Sequence, residues 1–131
     1  MVDVAACFDS WAVMAWLQGE EPAAERVNRA METKAVMSWV NAGEVYYLMH
    51  RRHGPEHADR VIDHLRLTIR LDEATSERVI GAASIKAVYP MSYADAFACA
   101  TAIAYDAPLL TGDDEIARAG GPWVAEDLRI D

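Results

Sequence analysis

The chain has 131 residues, of which 53% are hydrophobic and 25% charged, as in an ordinary globular protein. Its formal net charge of −9 argues against a domain that holds nucleic acid through a broad basic face. No segment approaches the roughly 20 apolar residues of a membrane span, and the N-terminus lacks a secretory leader pattern, so we expect a cytoplasmic protein.

Short apolar runs alternate with helix-like segments along the chain. In chain order they predict a strand at 4–8, helices at 11–17 and 21–32, a strand at 35–37, helices at 39–53 and 56–66, a strand at 67–71, helices at 74–88 and 92–104, and strands at 108–110 and 122–125. Strands that alternate with helices indicate a parallel sheet between helical layers. The predicted fold class is α/β, a three-layer α/β/α domain with a central parallel sheet of four or five strands, and residues 1–131 are predicted to form one domain.

Glycine and proline set most of the predicted boundaries. Gly19 ends the first helix, and Pro22 is well placed in the first turn of the second. Gly54 and Pro55 stop the third helix, and Pro90 closes the long helix before it.

Four acidic residues lie where an apolar segment meets a helix-like one. They are Asp9, Glu44, Asp95 and Asp113, in V-A-A-C-F-D-S, V-N-A-G-E-V, S-Y-A-D-A-F and L-L-T-G-D-D-E. In an open α/β sheet the ligand site lies outside the carboxyl ends of the strands, so these acids are predicted to converge. Neighbouring carboxylates need a cation to remain ionised together, and oxygen ligands favour Mg²⁺ or Mn²⁺.

Each of the four acids also has a simpler explanation as a helix cap. Asp9 and Asp113 have the setting of N-caps, Ser92-x-x-Asp95 has the spacing of a capping box, and Asn41-x-x-Glu44 imitates one. It would be a coincidence for four independent helix caps to fall at one edge of the sheet. A shared metal site explains why all four acids lie there. Asp72 also follows a strand, but the polar residues after it favour a solvated helix start.

Other metal and redox chemistry is disfavoured. Cys7 and Cys99 lie in apolar segments without C-x-x-C spacing, which predicts buried thiols in a reducing compartment. His50, His53 and His57 have zinc-like spacing, but the Gly-Pro break after the second removes a common helical face.

A short basic cluster stands out in this acidic chain. Arg51, Arg52 and His53 are consecutive, and the two arginines are predicted to bind substrate phosphates. The alternative is a solvated helix end, where cations interact favourably with the helix dipole.

Four stretches together resemble the PIN-domain ribonucleases, and most closely the VapC toxins of prokaryotic toxin–antitoxin pairs. They are F-D-S from Phe8, S-W-V-N-A-G-E-V-Y-Y from Ser38, S-Y-A-D-A-F-A-C-A-T-A from Ser92 and L-L-T-G-D-D-E-I from Leu109. Their order and spacing agree with the family over about residues 4–130.

The resemblance implies a set of site residues. The metal-binding catalytic acids would be Asp9, Glu44, Asp95 and Asp113, with Glu115 as a further metal ligand and with Ser10 and Thr111 supporting the ligands. Two positions depart from the family pattern, namely Trp11, where a small polar residue is usual, and Ile116, where phenylalanine is common.

The resemblance also implies a reaction and partners. It implies Mg²⁺- or Mn²⁺-dependent hydrolysis of RNA to a 5′-phosphate and a 3′-hydroxyl, inhibition by a VapB-type antitoxin and a homodimer, with no direct DNA binding by this chain alone. Two alternatives stay open. One is metal-free RNA cleavage with His50 or His53 as acid or base, and the other is a catalytically idle module that binds RNA or protein.

Overall fold

The computed structural model describes residues 3–129 as strands and helices in alternation. The strands are β1 Ala6–Phe8, β2 Ala35–Ser38, β3 Arg70–Asp72, β4 Leu109–Thr111 and β5 Ala125–Asp127. The helices are α1 Ser10–Gln18, α2 Ala23–Thr33, α3 Trp39–His53, α4 Pro55–Thr68, α5 Ser76–Val88, α6 Tyr93–Tyr105 and α7 Asp114–Arg118. Within these residues no helix is both long enough and apolar enough to span a bilayer.

The five strands form one parallel sheet in the order β3-β2-β1-β4-β5. The chain first moves outward from β1 through β2 to β3, and then returns to place β4 and β5 on the other side of β1. The order therefore reverses between β1 and β4, which pair through Cys7 with Leu109 and Phe8 with Leu110. Open α/β sheets bind ligands at such a switch point.

Side chains on the strands alternate between two helical layers. Ala6 and Phe8 pack into one core with α1 to α4, whereas Cys7 packs into a second core with α5 to α7. Leu110 and Leu109 divide between the two cores in the same way. This period of two, with helices on both faces, confirms the predicted three-layer α/β/α fold.

Both cysteines are buried free thiols, as predicted. Burial raises the pKa of Cys7, and the nearby Asp9 carboxyl raises it further. Burial likewise raises the pKa of Cys99, with Asp95 adding to the effect. Both thiols therefore stay protonated and unreactive at neutral pH.

Two strand predictions were displaced along the chain. The third strand was predicted at 67–71, but α4 continues through Thr68, whose hydroxyl donates to the His64 carbonyl at 2.9 Å. The fifth was predicted at 122–125, yet the strand begins at Ala125. The apolar character before it belongs to a loop, where Trp123 is buried edge-on against Tyr89 at 5.1 Å between ring centroids.

One helix was not predicted, and one local prediction was wrong. The five-residue helix α7 was not predicted as an element, because it is too short to show helical periodicity. Asp72 was predicted to be solvated but is buried. It accepts hydrogen bonds from Arg78 Nε at 2.7 Å and from the Tyr105 hydroxyl at 2.9 Å, which offset its loss of solvent.

Candidate metal centre

The four acids predicted to converge line one cleft at the carboxyl edge of the sheet. The cleft has a volume of about 430 Å³, and Asp9, Glu44, Asp95 and Asp113 are among its lining residues. Carboxylate oxygens of Asp95, Asp113 and Glu115 lie within 4.8 Å of one another, although Glu115 is exposed. The acids therefore meet beside the switch point between β1 and β4.

Asp9 follows β1 and is the N-cap of α1. Its Oδ1 accepts a hydrogen bond from the Ala12 backbone N–H at 2.8 Å, and its Oδ2 accepts one from the Thr111 hydroxyl. The predicted cap is thus present, and the same carboxyl lines the cleft with a side chain that is almost fully buried. Capping and cluster formation are both roles of this one residue.

Asp113 follows β4 and is held in a similar way. Its Oδ1 caps α7 by accepting from the Ile116 N–H at 3.2 Å. Its own backbone N–H donates to Thr111 Oγ1 at 2.9 Å. Because the Thr111 hydroxyl also donates to Asp9, this buried threonine joins the acids of the two strands that flank the switch point.

Asn41 links Glu44 to the backbone next to Asp95, and the sequence did not reveal this role. Its Nδ2 donates to Glu44 Oε1 at 3.1 Å and to the Ala94 carbonyl at 3.0 Å, beside Asp95. The N-x-x-E spacing was the available signal, but it indicated a capping box, whereas the N-cap of α3 is Ser38. Asn41 Oδ1 is buried and has no hydrogen-bond partner among the described residues.

Burial and mutual repulsion disfavour full ionisation of the cluster. The pKa of Asp9 is raised to about 7, because burial together with the charges of Asp95 and Asp113 outweighs the hydrogen bonds from Thr111 and Ala12. The pKa of Asp95 is raised to about 6, chiefly by burial and also by the charge of Asp113. At neutral pH the site therefore carries excess negative charge that its own hydrogen bonds do not offset.

The donor set fits a hard divalent cation. All of its ligand atoms are carboxylate oxygens, which Mg²⁺ and Mn²⁺ prefer. Burial and neighbouring negative charges raise the pKa values of Asp9 and Asp95, so a nearby positive charge would favour their ionised forms. A divalent ion would supply that charge. The residues that would hold it are Asp9, Glu44, Asp95 and Asp113, with Glu115 at the exposed side.

Of the residues predicted to support the ligands or to bind substrate, some line the cleft and others do not. Ser10 begins α1 and lines the cleft, as does Arg52 of α3. Arg51 instead lies over the ring of Tyr47, 5.0 Å from its centroid, and is not among the lining residues. Arg52 is therefore the arginine positioned to meet a molecule in the cleft.

The histidines lie away from the acids. His50 packs near Tyr46 at 6.0 Å between ring centroids, and His53 packs near His57 at 4.8 Å. The rings of His53 and His57 approach each other despite the helix break between them. None of these histidines lines the acidic cleft.

An open parallel α/β sheet with carboxylates gathered at its switch point defines a recognisable class of ligand-binding α/β proteins. Within that class the chain belongs to the PIN-domain family, whose family model matches residues 6–122. No curated protein matches the chain in sequence.

Solved structures share the fold at low sequence identity. DNA-bound VapBC from Salmonella typhimurium superposes with a TM-score of 0.76 at 17% identity, covering 95% of this chain and 98% of that one. Mycobacterium tuberculosis VapC20, described as a toxin that cleaves the sarcin–ricin loop, gives 0.74 at 19%, covering 88% and 95%. VapBC-1 from nontypeable Haemophilus influenzae gives 0.73 at 17%, covering 97% and 100%.

Proposed function

We propose that this protein is a Mg²⁺- or Mn²⁺-dependent endoribonuclease and acts as the toxin of a type II toxin–antitoxin pair. The observation that carries the proposal is the convergence of Asp9, Glu44, Asp95 and Asp113 in one cleft of a PIN-domain chain. Structures of VapBC complexes and of the sarcin–ricin-loop-cleaving toxin VapC20 share this fold, which favours the toxin role.

A divalent ion at these acids would lower the pKa of a water molecule and offset negative charge on the phosphodiester during its hydrolysis. The chain's own contribution is to hold the ligands in place. Thr111 and the Ala12 N–H fix Asp9, Asn41 fixes Glu44, and Ser92 Oγ accepts from the Asp95 N–H at 3.1 Å. Arg52 would bind a phosphate elsewhere on the RNA, and the products would carry a 5′-phosphate and a 3′-hydroxyl.

The proposed partners are RNA as substrate and a VapB-type antitoxin as inhibitor. A homodimer, action in the cytoplasm and the absence of direct DNA binding by this chain alone belong to the same proposal. The net charge of −9 suits a basic antitoxin segment laid over the acidic cleft.

The two alternatives are less well supported. Metal-free cleavage would need His50 or His53 near the reacting phosphate, and neither lines the cleft. An idle binding module would not require four converging acids, two of them with pKa values raised to about 7 and about 6.

The test is cleavage of end-labelled cellular RNA by the purified protein with Mg²⁺, with Mn²⁺ and with EDTA. An Asp95→Asn variant removes one ligand, and Asp63→Asn makes the same change at an exposed site on α4 as a matched control. The proposal predicts discrete fragments with 5′-phosphate ends from the wild type and from Asp63→Asn only. Cleavage that survives both EDTA and Asp95→Asn would overturn it.

The toxin role is tested in cells. Induced expression of the wild type is expected to arrest bacterial growth, and expression of Asp95→Asn at the same level is not. Co-expression of a small DNA-binding protein from an adjacent upstream reading frame should restore growth. Equal growth with wild type and variant would contradict the toxin role even if the purified protein cleaves RNA.

A further inference from the structure

The cleft continues beyond the acids as a trough between α1 and α3. Glu44, Leu48 and Arg52 line it from α3 at intervals of four residues, so they lie on one helical face. At 1.5 Å per residue, Arg52 is about 12 Å along the helix from Glu44. With its amide oriented to satisfy both neighbours, Gln18 of α1 accepts from Arg52 Nη1 at 2.6 Å, which closes the far end.

The walls of the trough between these ends are apolar. Trp11 and Met14 line it from α1, and Leu48 faces them from α3. The trough therefore has carboxylates at one end, Arg52 with Gln18 and Glu20 at the other, and an aromatic ring between them. A single strand of RNA fits this order of groups, because a cation at the acids and Arg52 would meet its phosphates while the apolar walls meet its bases.

The indole of Trp11 packs against the loop that carries Asp113. A Cβ built on Gly112 would lie 2.2 Å from Trp11 Cε2 and Cζ2 and 2.5 Å from Cδ2. These are three consecutive ring atoms, and distances this short to all three place the built Cβ above the plane of the ring, so Gly112 lies over the face of the indole rather than at its edge. Gly112, the residue before Asp113, thus supports one face of the ring. Trp11 itself lies two positions after Asp9.

We propose that Trp11 is a base-stacking residue of this cleft, an inference that rests on the proposed function. A nucleobase next to the phosphate that a cation at the acids would bind stacks on the indole, and Arg52 meets a phosphate further along the strand. Every base has a π face, so such a platform accepts RNA without strict sequence choice. Gly112 is required because any side chain there would displace the ring.

The competing explanation is that Trp11 only packs against the core, since it also contacts the apolar cluster beneath α1. The two explanations differ in what a Trp11 substitution changes. Loss of packing lowers stability and leaves RNA affinity unchanged, whereas loss of a stacking platform lowers RNA affinity at one nucleotide position.

The experiment uses protein with intact acids and Ca²⁺ in place of Mg²⁺, with a gel to verify that the RNA stays uncleaved, and a fluorescent single-stranded RNA of mixed sequence. Affinities are measured for this background alone and with Trp11→Leu, Trp11→Phe or Trp16→Leu added. Trp16 is the matched control, because it is a partly buried tryptophan on the same helix that stacks on His64 and does not line the cleft. Circular dichroism and thermal melting establish that each variant is folded.

Stacking predicts a graded result. Trp11→Leu should weaken binding about 5- to 100-fold, while Trp11→Phe and Trp16→Leu stay within about threefold of the background. Replacing each nucleotide in turn by an abasic one should reveal one position that weakens binding to the Trp11 protein and not to Trp11→Leu.

Failure of this inference is distinguishable from failure of the proposed function. If Trp11→Leu binds RNA as tightly as the background, or if no abasic position is coupled to Trp11, the stacking role is wrong, and Mg²⁺-dependent cleavage by the wild type still supports the nuclease. If the wild type neither binds nor cleaves RNA, both proposals are wrong.

Discussion

Asp9→Asn is predicted to inactivate the protein and yet to stabilise it when metal is absent. The folded-state pKa of Asp9 is about 7, and its reference value is 3.8. Because the pKa is raised by folding, the native state favours the protonated carboxyl. The contribution of Asp9 to the free energy of unfolding therefore falls as the pH rises from about 4 to about 7 and is level outside that window.

The size of the effect follows from the pKa difference. At about 1.4 kcal/mol per pKa unit, ionised Asp9 costs the metal-free protein about 4 kcal/mol above pH 7. An asparagine removes this cost and keeps the cap to the Ala12 N–H, but it leaves the Thr111 hydroxyl without its acceptor, which costs about 1 kcal/mol. The net effect is a gain of about 3 kcal/mol at about pH 8. At about pH 4 it is a loss of up to about 1 kcal/mol, because the ionisation cost is absent there and the Thr111 contact is still lost.

The assay is urea unfolding of wild type, Asp9→Asn and Asp63→Asn in EDTA at both pH values, then with Mg²⁺. Asp63 is exposed, so its variant should follow the wild type throughout. Mg²⁺ at about 100 times its dissociation constant should stabilise the wild type by about 2.7 kcal/mol and leave Asp9→Asn unchanged. An Asp9→Asn protein that is less stable than wild type at high pH without metal would refute the reasoning.

Three further substitutions test the supporting contacts. Asn41→Ala removes two hydrogen bonds from a fully buried side chain, so Mn²⁺ titration should show about tenfold weaker binding, and unchanged affinity would deny it a positioning role. Arg78→Met leaves the buried Asp72 carboxylate without its cation, and urea unfolding should show a loss of about 3 kcal/mol. Gly112→Ala places a methyl group against the indole of Trp11 and should cost about 1–3 kcal/mol. Trp11→Leu in the same chain should recover most of that loss, and additive losses would contradict the contact.

The sequence predicted the parts of the fold that local chemistry determines. The bounds of α3 were predicted at both ends, since Ser38 caps its start and Gly54 stops it. The convergence of the acids followed from parallel strands, whose carboxyl ends share one edge. Those predictions needed only the alternation of elements and no knowledge of contacts.

Contacts between distant residues explain what the sequence did not predict. The polar residues after Asp72 predicted a solvated side chain. The hydroxyl that donates to Asp72 belongs to Tyr105, 33 positions further along the chain. The tie from Asn41 to the Ala94 carbonyl spans 53 positions. Arg51 and Arg52 are adjacent in sequence, yet they leave the helix in different directions, and only Arg52 reaches the cleft.

The central claim is that the strand-end acids hold a divalent cation, and crystals soaked in Mn²⁺ near neutral pH test it most directly. The account predicts an anomalous-difference peak within coordination distance of carboxylate oxygens of Asp9, Asp95 and Asp113 that disappears in Asp95→Asn crystals. No peak among these acids, or one that persists unchanged in the variant, would contradict the metal centre and the nuclease mechanism built on it.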